Sequence, residues 1–236
     1  MTHPLQKQYQ AQVHELVLAS VRSASLGYVS SHGGNLSVRV AEDIVLITPT
    51  KVPKRDMTET DICFVNMRGE TLFAPEGRRP TSESPFHLRV FEKRPDLKGI
   101  VHAHPPILTG FAIAGGDLLR RPFLPEPVIE IGPMIVVPYA QPGSEALAEA
   151  FDAALPYSNG FLMENHGVLI CGIKDIIETV EQLQMAEAMA QSVLTAKLLG
   201  NLNVLSEKEV SDLEDVLKIR GLKAPGGGTS LSGLFR

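Results

Sequence analysis

The chain has 236 residues, a formal net charge of −5 at pH 7, and 44% hydrophobic and 21% charged residues. That length can bury a large core, and the composition is typical of a globular protein. The negative charge argues against a nucleic-acid partner, because phosphates require clustered lysine and arginine. Small molecules are the expected partners.

Cys63 and Cys171 are the only cysteines, too few for a disulfide framework. The first ten residues lack the apolar core of a signal peptide. No apolar run approaches the roughly 20 residues of a membrane span. We therefore expect a cytoplasmic protein without a membrane partner.

Hydrophobic periodicity in the first half predicts a helix, two β-hairpins and a second helix. The first helix ends at Gly27, and Thr81 or Ser82 is expected to cap the second, which has a proline in its first turn. The predicted elements are a helix over 5–27, strands over 35–40 and 43–48, strands over 61–66 and 71–73, and a helix over 81–96.

The second half alternates strands and helices. Four prolines between residues 117 and 133 predict an irregular segment there. The pattern indicates one α/β domain over 1–220 and a flexible glycine-rich tail over 221–236. The predicted elements are strands over 98–104, 134–139, 159–165 and 167–172, and helices over 105–114, 143–155, 174–199 and 206–220.

Three histidines stand at predicted strand ends. His102 and His104 are two positions apart, so their side chains point to the same face of a strand. His166 ends another predicted strand and is followed by a glycine. Three neutral imidazoles with an open fourth position are the usual arrangement of a catalytic zinc site. Polar side chains at a sheet edge are the structural alternative.

Glu83 lies in the first turn of the predicted second helix, one turn before His87. Its carboxylate is either a helix-capping group or part of a site, and His87 either orients Glu83 or packs in the core. Loops containing Gly33, Gly34 and the 49–51 segment offer backbone N–H groups and hydroxyls that can cradle an anion, although such loops are also ordinary turns.

Six motifs in order resemble the class II aldolase/adducin family. They are GGNLSVR (33–39), ITPT (47–50), PTSE (80–83), VHAHP (101–105), VPYAQPGSE (137–145) and NHGV (165–168). The resemblance implies a three-layer α/β/α domain with a mixed, largely antiparallel central sheet. It also implies a homotetramer with active sites at subunit interfaces.

The resemblance assigns a metal to three histidines and the general acid/base role to Glu83. The usual metal is Zn²⁺, with Mn²⁺ or Co²⁺ as alternatives. The substrate's phosphate would bind residues from three loops. The metal ligands are His102, His104 and His166, and the phosphate-binding residues are Gly34, Asn35, Thr50, Lys51, Thr81 and Ser82.

The motifs are most similar to those of the L-fuculose-1-phosphate aldolases. That similarity implies cleavage of a ketose 1-phosphate to dihydroxyacetone phosphate and an aldehyde, through a metal-stabilised enediolate. Three positions depart from the aldolase pattern. Lys51 replaces a glycine, His32 replaces a threonine, and Glu126 lies near a tyrosine that assists catalysis; we take Glu126 as a second catalytic candidate.

Other reactions of the family stay open. A sugar-phosphate dehydratase carries a glutamate in a segment comparable to that of Glu126. Decarboxylases of 3-oxo-tetronate phosphates share the metal site, but tend to have a lysine where this chain has Ser82. A 4-epimerase is disfavoured because its aspartate-tyrosine segment is missing. A non-catalytic adducin-like scaffold is disfavoured because the metal ligands and Glu83 are all retained.

Overall fold

A single eight-stranded sheet forms the centre of the molecule. The computed structural model describes residues 3–228, 230–231 and 233–235. The strands are β1 (Asn35–Ala41), β2 (Ile44–Ile47), β3 (Cys63–Val65), β4 (Thr71–Phe73), β5 (Gly99–Ala103), β6 (Ile135–Val137), β7 (Gly160–Met163) and β8 (Gly167–Gly172). Their order is β4-β3-β2-β1-β5-β8-β7-β6, and among these described strands only β6 and β7 pair in parallel.

Helices cover both faces of this sheet. They are α1 (Pro4–Gln8), α2 (Gln10–Ser25), α3 (Ser84–Lys93), α4 (Pro106–Ala114), α5 (Pro125–Glu130), α6 (Glu145–Glu149), α7 (Ile176–Leu199) and α8 (Glu207–Arg220). Helices α2, α4 and α7 share one hydrophobic core with the sheet, and α3 and α6 share another. This confirms the predicted three-layer domain with a mixed, largely antiparallel sheet. Within the described ranges, no helix is long and apolar enough to cross a membrane.

The side chains of β5 alternate between these two cores. Val101 and Ala103 belong to the core of α2, α4 and α7, whereas Ile100 belongs to the core of α3 and α6. Because both faces are covered, every residue of β5 is buried. The alternation places His102 on the α3 side, where the Phe86 ring lies 5.6 Å from the imidazole.

The segment 117–133 is more regular than expected. A 3₁₀ turn at Leu118–Arg120 is followed by α5, which begins at Pro125. Prolines in a first helical turn do no harm, because the N–H groups there have no partner within the helix. Proline content alone therefore gave the wrong structure for this segment.

Helix α3 begins later than expected and is not capped by a hydroxyl. Its N-cap is Glu83, whose side chain makes no capping hydrogen bond. The hydroxyl of Thr81 instead accepts a hydrogen bond from the Glu83 N–H, just outside the helix. The Glu83 side chain is left free to point elsewhere.

The described part of the expected flexible tail is packed. Ala224 and Leu231 are buried against α5 and α8, and the Gly226 N–H donates to Asn159 Oδ1 over 3.1 Å. Apolar residues among the glycines supply the burial, and the flexibility of the tail stays a prediction. Of the tail, Thr229, Ser232 and Arg236 lie outside the described residues.

Candidate active site

Sheet pairing brings the three predicted histidines together. His102 lies near the end of β5, and His104 follows one residue after the strand. His166 occupies the turn before β8, which pairs with β5 so that Ala103 faces Val168. The ring centroids of His102 lie 4.7 Å from His104 and 4.8 Å from His166. One nitrogen from each ring can be chosen so that all three lie within 4.8 Å of one another.

Hydrogen bonding fixes the tautomer of His102. Its Nδ1 lies 3.0 Å from the carbonyl oxygen of Val168. A carbonyl only accepts, so Nδ1 carries the proton and Nε2 keeps its lone pair. That Nε2 is buried without a hydrogen-bond partner. An unpaired buried lone pair is costly unless a ligand completes it.

Burial keeps two of the histidines neutral. Burial is the main cause that lowers the pKa of His102 to about 3, and repulsion from His166 is the second. The pKa of His104 is also lowered to about 3, mainly by burial and secondly by repulsion from His102. Neutral imidazole is the form that binds a metal ion, so both rings are ready to do so at neutral pH.

The turn around His166 is shaped for close packing of the rings. Asn165 has a φ of 52°, in the left-handed region. A Cβ on the following Gly167 would lie 2.4 Å from Cδ2 of His104. Glycine is therefore required where β8 begins beside the cluster.

Glu83 extends from the start of α3 into the histidine cluster. Its Oε2 lies 3.4 Å from Nε2 of His102, and its Oε1 lies 3.5 Å from Nε2 of His166. Oε2 accepts a hydrogen bond of 2.6 Å from Nδ2 of Asn35, whereas Oε1 is buried without a hydrogen-bond partner. Of the two readings of this carboxylate, the geometry favours a site residue over a helix cap.

A buried chain of polar side chains continues from Asn35. Nε2 of His87 lies 2.5 Å from Oδ1 of Asn35, and Nδ1 of His87 lies 2.7 Å from Oγ of Ser37. Burial, with repulsion from His102, holds the pKa of His87 well below its usual value, so the ring is neutral. His87 also stacks on Phe86 at 4.6 Å. It thus both packs and connects to Glu83.

The three loops of the predicted anion site are joined by hydrogen bonds. The Thr81 N–H donates to Thr48 O over 3.2 Å, and the Thr50 N–H donates to Arg79 O over 3.1 Å. The Leu36 N–H donates to the hydroxyl of Thr48 over 3.1 Å. The structure thereby brings together the segments that hold Gly34, Asn35, Thr50, Lys51, Thr81 and Ser82.

Members of this set differ in what they offer an anion. Gly34 has a φ of 66°, and a Cβ there would lie 2.8 Å from the carbonyl oxygen of His102, so only glycine fits. The side chain of Asn35 is already bonded to Glu83 and His87. Lys51 is exposed and has a φ of 61°, a strained value for lysine. The anion-binding role of the set stays a prediction.

Glu126 lies apart from the cluster within one chain. It occupies the first turn of α5 and is exposed. Burial raises the pKa of Glu130 in the same helix, and repulsion from Glu126 adds a smaller contribution. No hydrogen bond or ion pair among the described residues connects it to Glu83 or the three histidines, so its catalytic role also stays a prediction.

Lys54 is a component that sequence reasoning missed. Its side chain is 1% exposed, and its Nζ donates to the carbonyls of Val52 and His32 over 3.2 and 3.4 Å. Burial lowers its pKa to about 8, and the charge of Glu83 opposes that shift. A lysine that is followed directly by Arg55 and Asp56 is expected to be exposed, so no sequence pattern indicated a buried cation near Glu83.

The residues of the cluster fit a divalent metal ion. Three imidazoles form the donor set, and His102 presents an unpaired Nε2 toward the other two rings. Nitrogen ligands with an adjacent carboxylate are typical of Zn²⁺ sites, and Mn²⁺ and Co²⁺ accept the same ligands. The identity of the metal stays a prediction.

Known proteins with similar sequences and structures include enzymes that act on sugar phosphates. The chain is 33% identical to the 3-oxo-tetronate 4-phosphate decarboxylase of Haemophilus influenzae, over 80% of this chain and 89% of that protein. It is 28% identical to the L-fuculose phosphate aldolase of Escherichia coli K12, over 89% and 95% of the two chains. The crystal structure of YgbL from Klebsiella pneumoniae matches with a TM-score of 0.78 and 31% identity, covering 86% of this chain and 98% of that one.

The family assignment follows from the extent of the match. Residues 14–194 match the family described as Class II Aldolase and Adducin N-terminal domain. That range contains Glu83, all three clustered histidines and every strand of the sheet. The chain therefore belongs to the class II aldolase and adducin family.

Proposed function

We propose that the protein is a divalent-metal-dependent lyase that breaks a carbon–carbon bond beside the ketone of a small sugar phosphate. The observation that carries this proposal is the position of Glu83. Its two carboxylate oxygens lie 3.4 and 3.5 Å from nitrogens of His102 and His166. A proton-transfer group therefore lies next to the cluster that would hold a cation.

The residues of this chain have separable roles in such a reaction. The three histidines would hold the ion, which when bound supplies positive charge where negative charge develops on the substrate's oxygens. Glu83 would transfer a proton to the substrate carbon that loses its bonding partner. Lys54 adds a buried positive charge near Glu83.

Aldol cleavage of a ketose 1-phosphate is the first candidate reaction. The bond between carbons 3 and 4 breaks, the hydroxyl on carbon 4 loses a proton to become an aldehyde, and carbon 3 gains a proton from Glu83. The products are dihydroxyacetone phosphate and an aldehyde. The reaction needs a second group to accept the hydroxyl proton, and Glu126 is the residue we propose for it.

Decarboxylation of a 3-oxo-tetronate 4-phosphate is the second candidate, favoured by the 33% identity to such an enzyme. Carbon dioxide leaves carbon 2, and that carbon gains a proton, which again yields dihydroxyacetone phosphate. One proton-transfer group suffices, and Glu83 provides it. Ser82 counts against this reaction, because these decarboxylases tend to carry lysine at that position.

Product analysis distinguishes these reactions. Zinc-loaded protein is incubated with a panel of ketose 1-phosphates and with 3-oxo-tetronate 4-phosphates, and dihydroxyacetone phosphate is measured. An aldehyde co-product identifies aldol cleavage, and carbon dioxide identifies decarboxylation. A dehydratase would release water and leave the carbon chain intact. Absence of any product across the panel would contradict the lyase proposal and favour a scaffold role.

We also propose a homotetramer whose active sites lie at subunit interfaces, with Glu126 reaching the site of a neighbouring subunit. Its exposure on α5 leaves the carboxylate accessible to a second chain. Light scattering should then give the mass of four chains. Glu126→Gln should slow aldol cleavage and leave decarboxylation unchanged, whereas equal effects on both would remove Glu126 from the proton transfer.

A further inference from the structure

Glu83 is held by one of its two oxygens. Oε2 accepts the 2.6 Å hydrogen bond from Asn35, while Oε1 has no hydrogen-bond partner and lies 3.5 Å from Nε2 of His166. The two oxygens of one carboxylate therefore have different tasks. Oε2 is fixed to the protein, and Oε1 is free to exchange a proton with a ligand.

Donor and acceptor roles along the chain of side chains behind Glu83 follow from that carboxylate. Oε2 of Glu83 accepts from the NH₂ group of Asn35, so Oδ1 of Asn35 faces His87 and must accept from it. Nε2 of the neutral His87 therefore carries the proton. Nδ1 of His87 is left as an acceptor, so the hydroxyl of Ser37 donates to it. Each residue thus donates to the next: Ser37 to His87, His87 to Asn35, and Asn35 to Glu83.

Two sequence spacings build this arrangement. Asn35 and Ser37 are two positions apart on β1 and point to the same face of the sheet. His87 follows Glu83 by four residues, one turn along α3, so both face β1. Asn35 lies directly opposite His102 of β5, and this pairing places the Asn35 amide beside the histidine cluster. Hydrogen bonds between side chains therefore connect β1 to the start of α3.

We propose that Ser37, His87 and Asn35 form a positioning relay that fixes Oε2 of Glu83 and presents Oε1 as the oxygen that transfers the proton. The relay rests on the proposed function, because the lyase reaction is what would use the proton transferred by Oε1. Asn35 thereby holds the Glu83 carboxylate in place, in addition to any contact with the substrate's anion. His87 and Ser37 act through Asn35 and touch no substrate.

Replacements of His87 separate positioning from packing. Glutamine has an amide N–H at about the reach of the imidazole Nε2, whereas leucine fills similar space without a donor. Because groups that orient a catalytic side chain are worth about 10–100-fold in activity, His87→Leu should lower kcat by that factor. KM and zinc affinity should change little, and His87→Gln should keep most of the activity. A purely structural histidine predicts equal kcat for the two variants, which would overturn the relay.

Two buried serines provide a matched pair. Ser37 and Ser20 are both 0% exposed, and the hydroxyl of Ser20 bonds only to Leu16 O within α2. Ser37→Ala should lower kcat several-fold, whereas Ser20→Ala should leave kcat unchanged. Thermal unfolding and zinc titration of both variants show whether the effect lies in folding or metal binding. Equal kcat values for Ser37→Ala and Ser20→Ala would overturn the role of Ser37.

The tautomer of His87 tests the relay without any turnover. Nitrogen-15 NMR of the metal-free protein, with the His87 signal assigned by its loss in His87→Gln, should show a neutral ring protonated at Nε2. A ring protonated at Nδ1, or at both nitrogens, would overturn the relay. This result does not depend on a substrate, so failure of the relay and failure of the lyase proposal can be told apart.

Discussion

Two of the buried polar clusters in the described part of the chain differ in how many of their polar atoms have hydrogen-bond partners. One surrounds Arg94, which follows α3 and is 6% exposed. Its five guanidinium donors reach both oxygens of Asp96, the carbonyls of Leu155 and Ser158, and Oδ1 of Asn159. The other is the histidine cluster, where Glu83 Oε1, His102 Nε2 and His166 Nδ1 have no hydrogen-bond partner.

The contrast separates a structural cluster from a functional one. A guanidinium can be buried when every donor is paired, and Arg94 ties α3 to the segment before β7 in this way. Unpaired polar atoms in the histidine cluster cost folding free energy unless a ligand completes them. Burial of polar residues is thus uninformative by itself. Single unpaired atoms also occur on Thr109 and Gln182, so what marks the site is three residues with unpaired atoms in one place.

The largest expected effect is on metal binding. His102→Ala removes the ligand whose tautomer is fixed by Val168, so purified protein should lose its bound divalent ion and its lyase activity. Elemental analysis of the purified variant measures this directly. His14→Ala is the control, because that histidine is exposed and bonded to Glu59; it should keep the metal. Full metal content in His102→Ala would contradict the assignment.

Replacing Arg94 should affect stability and leave the site intact. Arg94→Met removes all five donors, so Asp96 loses its guanidinium partner and two carbonyls are left unpaired. The loss should cost about 3–5 kcal/mol of the free energy of unfolding. Urea denaturation measures the loss. Zinc content and kcat of the folded fraction should be unchanged. A selective loss of zinc would show that the two clusters are coupled.

Replacing Glu83 should have the opposite pattern. Glu83→Gln keeps the shape of the side chain and its contact with Asn35 but cannot accept a proton. Turnover should fall by about 10² or more, the usual worth of a general acid/base. Metal content and the free energy of unfolding should stay close to those of the unmodified protein. Unchanged turnover with full metal content would remove Glu83 from the mechanism.

Acid should destabilise the metal-free protein through the cluster. Histidine in an unfolded chain takes up a proton near pH 6.5, whereas the folded pKa of His102 and of His104 is about 3. Between these values the unfolded chain binds more protons, so stability falls as pH drops, by about 1.4 kcal/mol per pH unit for each histidine. His102→Ala should reduce that slope. A flat profile from pH 6.5 to 4.5 would contradict the neutral assignment.

The smallest expected effect concerns Lys51. Its φ of 61° is favourable for glycine and strained for lysine, so Lys51→Gly should raise the free energy of unfolding by about 1 kcal/mol. If the ammonium binds the substrate's anion, KM should rise for charged substrates and stay constant for neutral ones. Equal KM changes would show that Lys51 is not an anion contact.

Much of the fold was predictable, because alternating and helical hydrophobic patterns report local structure. The strand carrying His102 and the turn carrying His166 were placed correctly, and the family motifs brought them into one site. Long-range contacts were not accessible in the same way. Burial of Lys54 and packing of Leu231 against α5 and α8 depend on neighbours distant in sequence, which periodicity does not encode. The link between Ser37 and His87 required the register of α3 against β1.

We predict that one divalent ion binds His102, His104 and His166 beside Glu83. Anomalous diffraction at the zinc absorption edge, from crystals of zinc-loaded protein, tests it most directly. We expect one anomalous peak per chain, about 2.0–2.1 Å from a nitrogen of each of the three rings. A zinc peak elsewhere, or one that contacts only one of the rings, would contradict it.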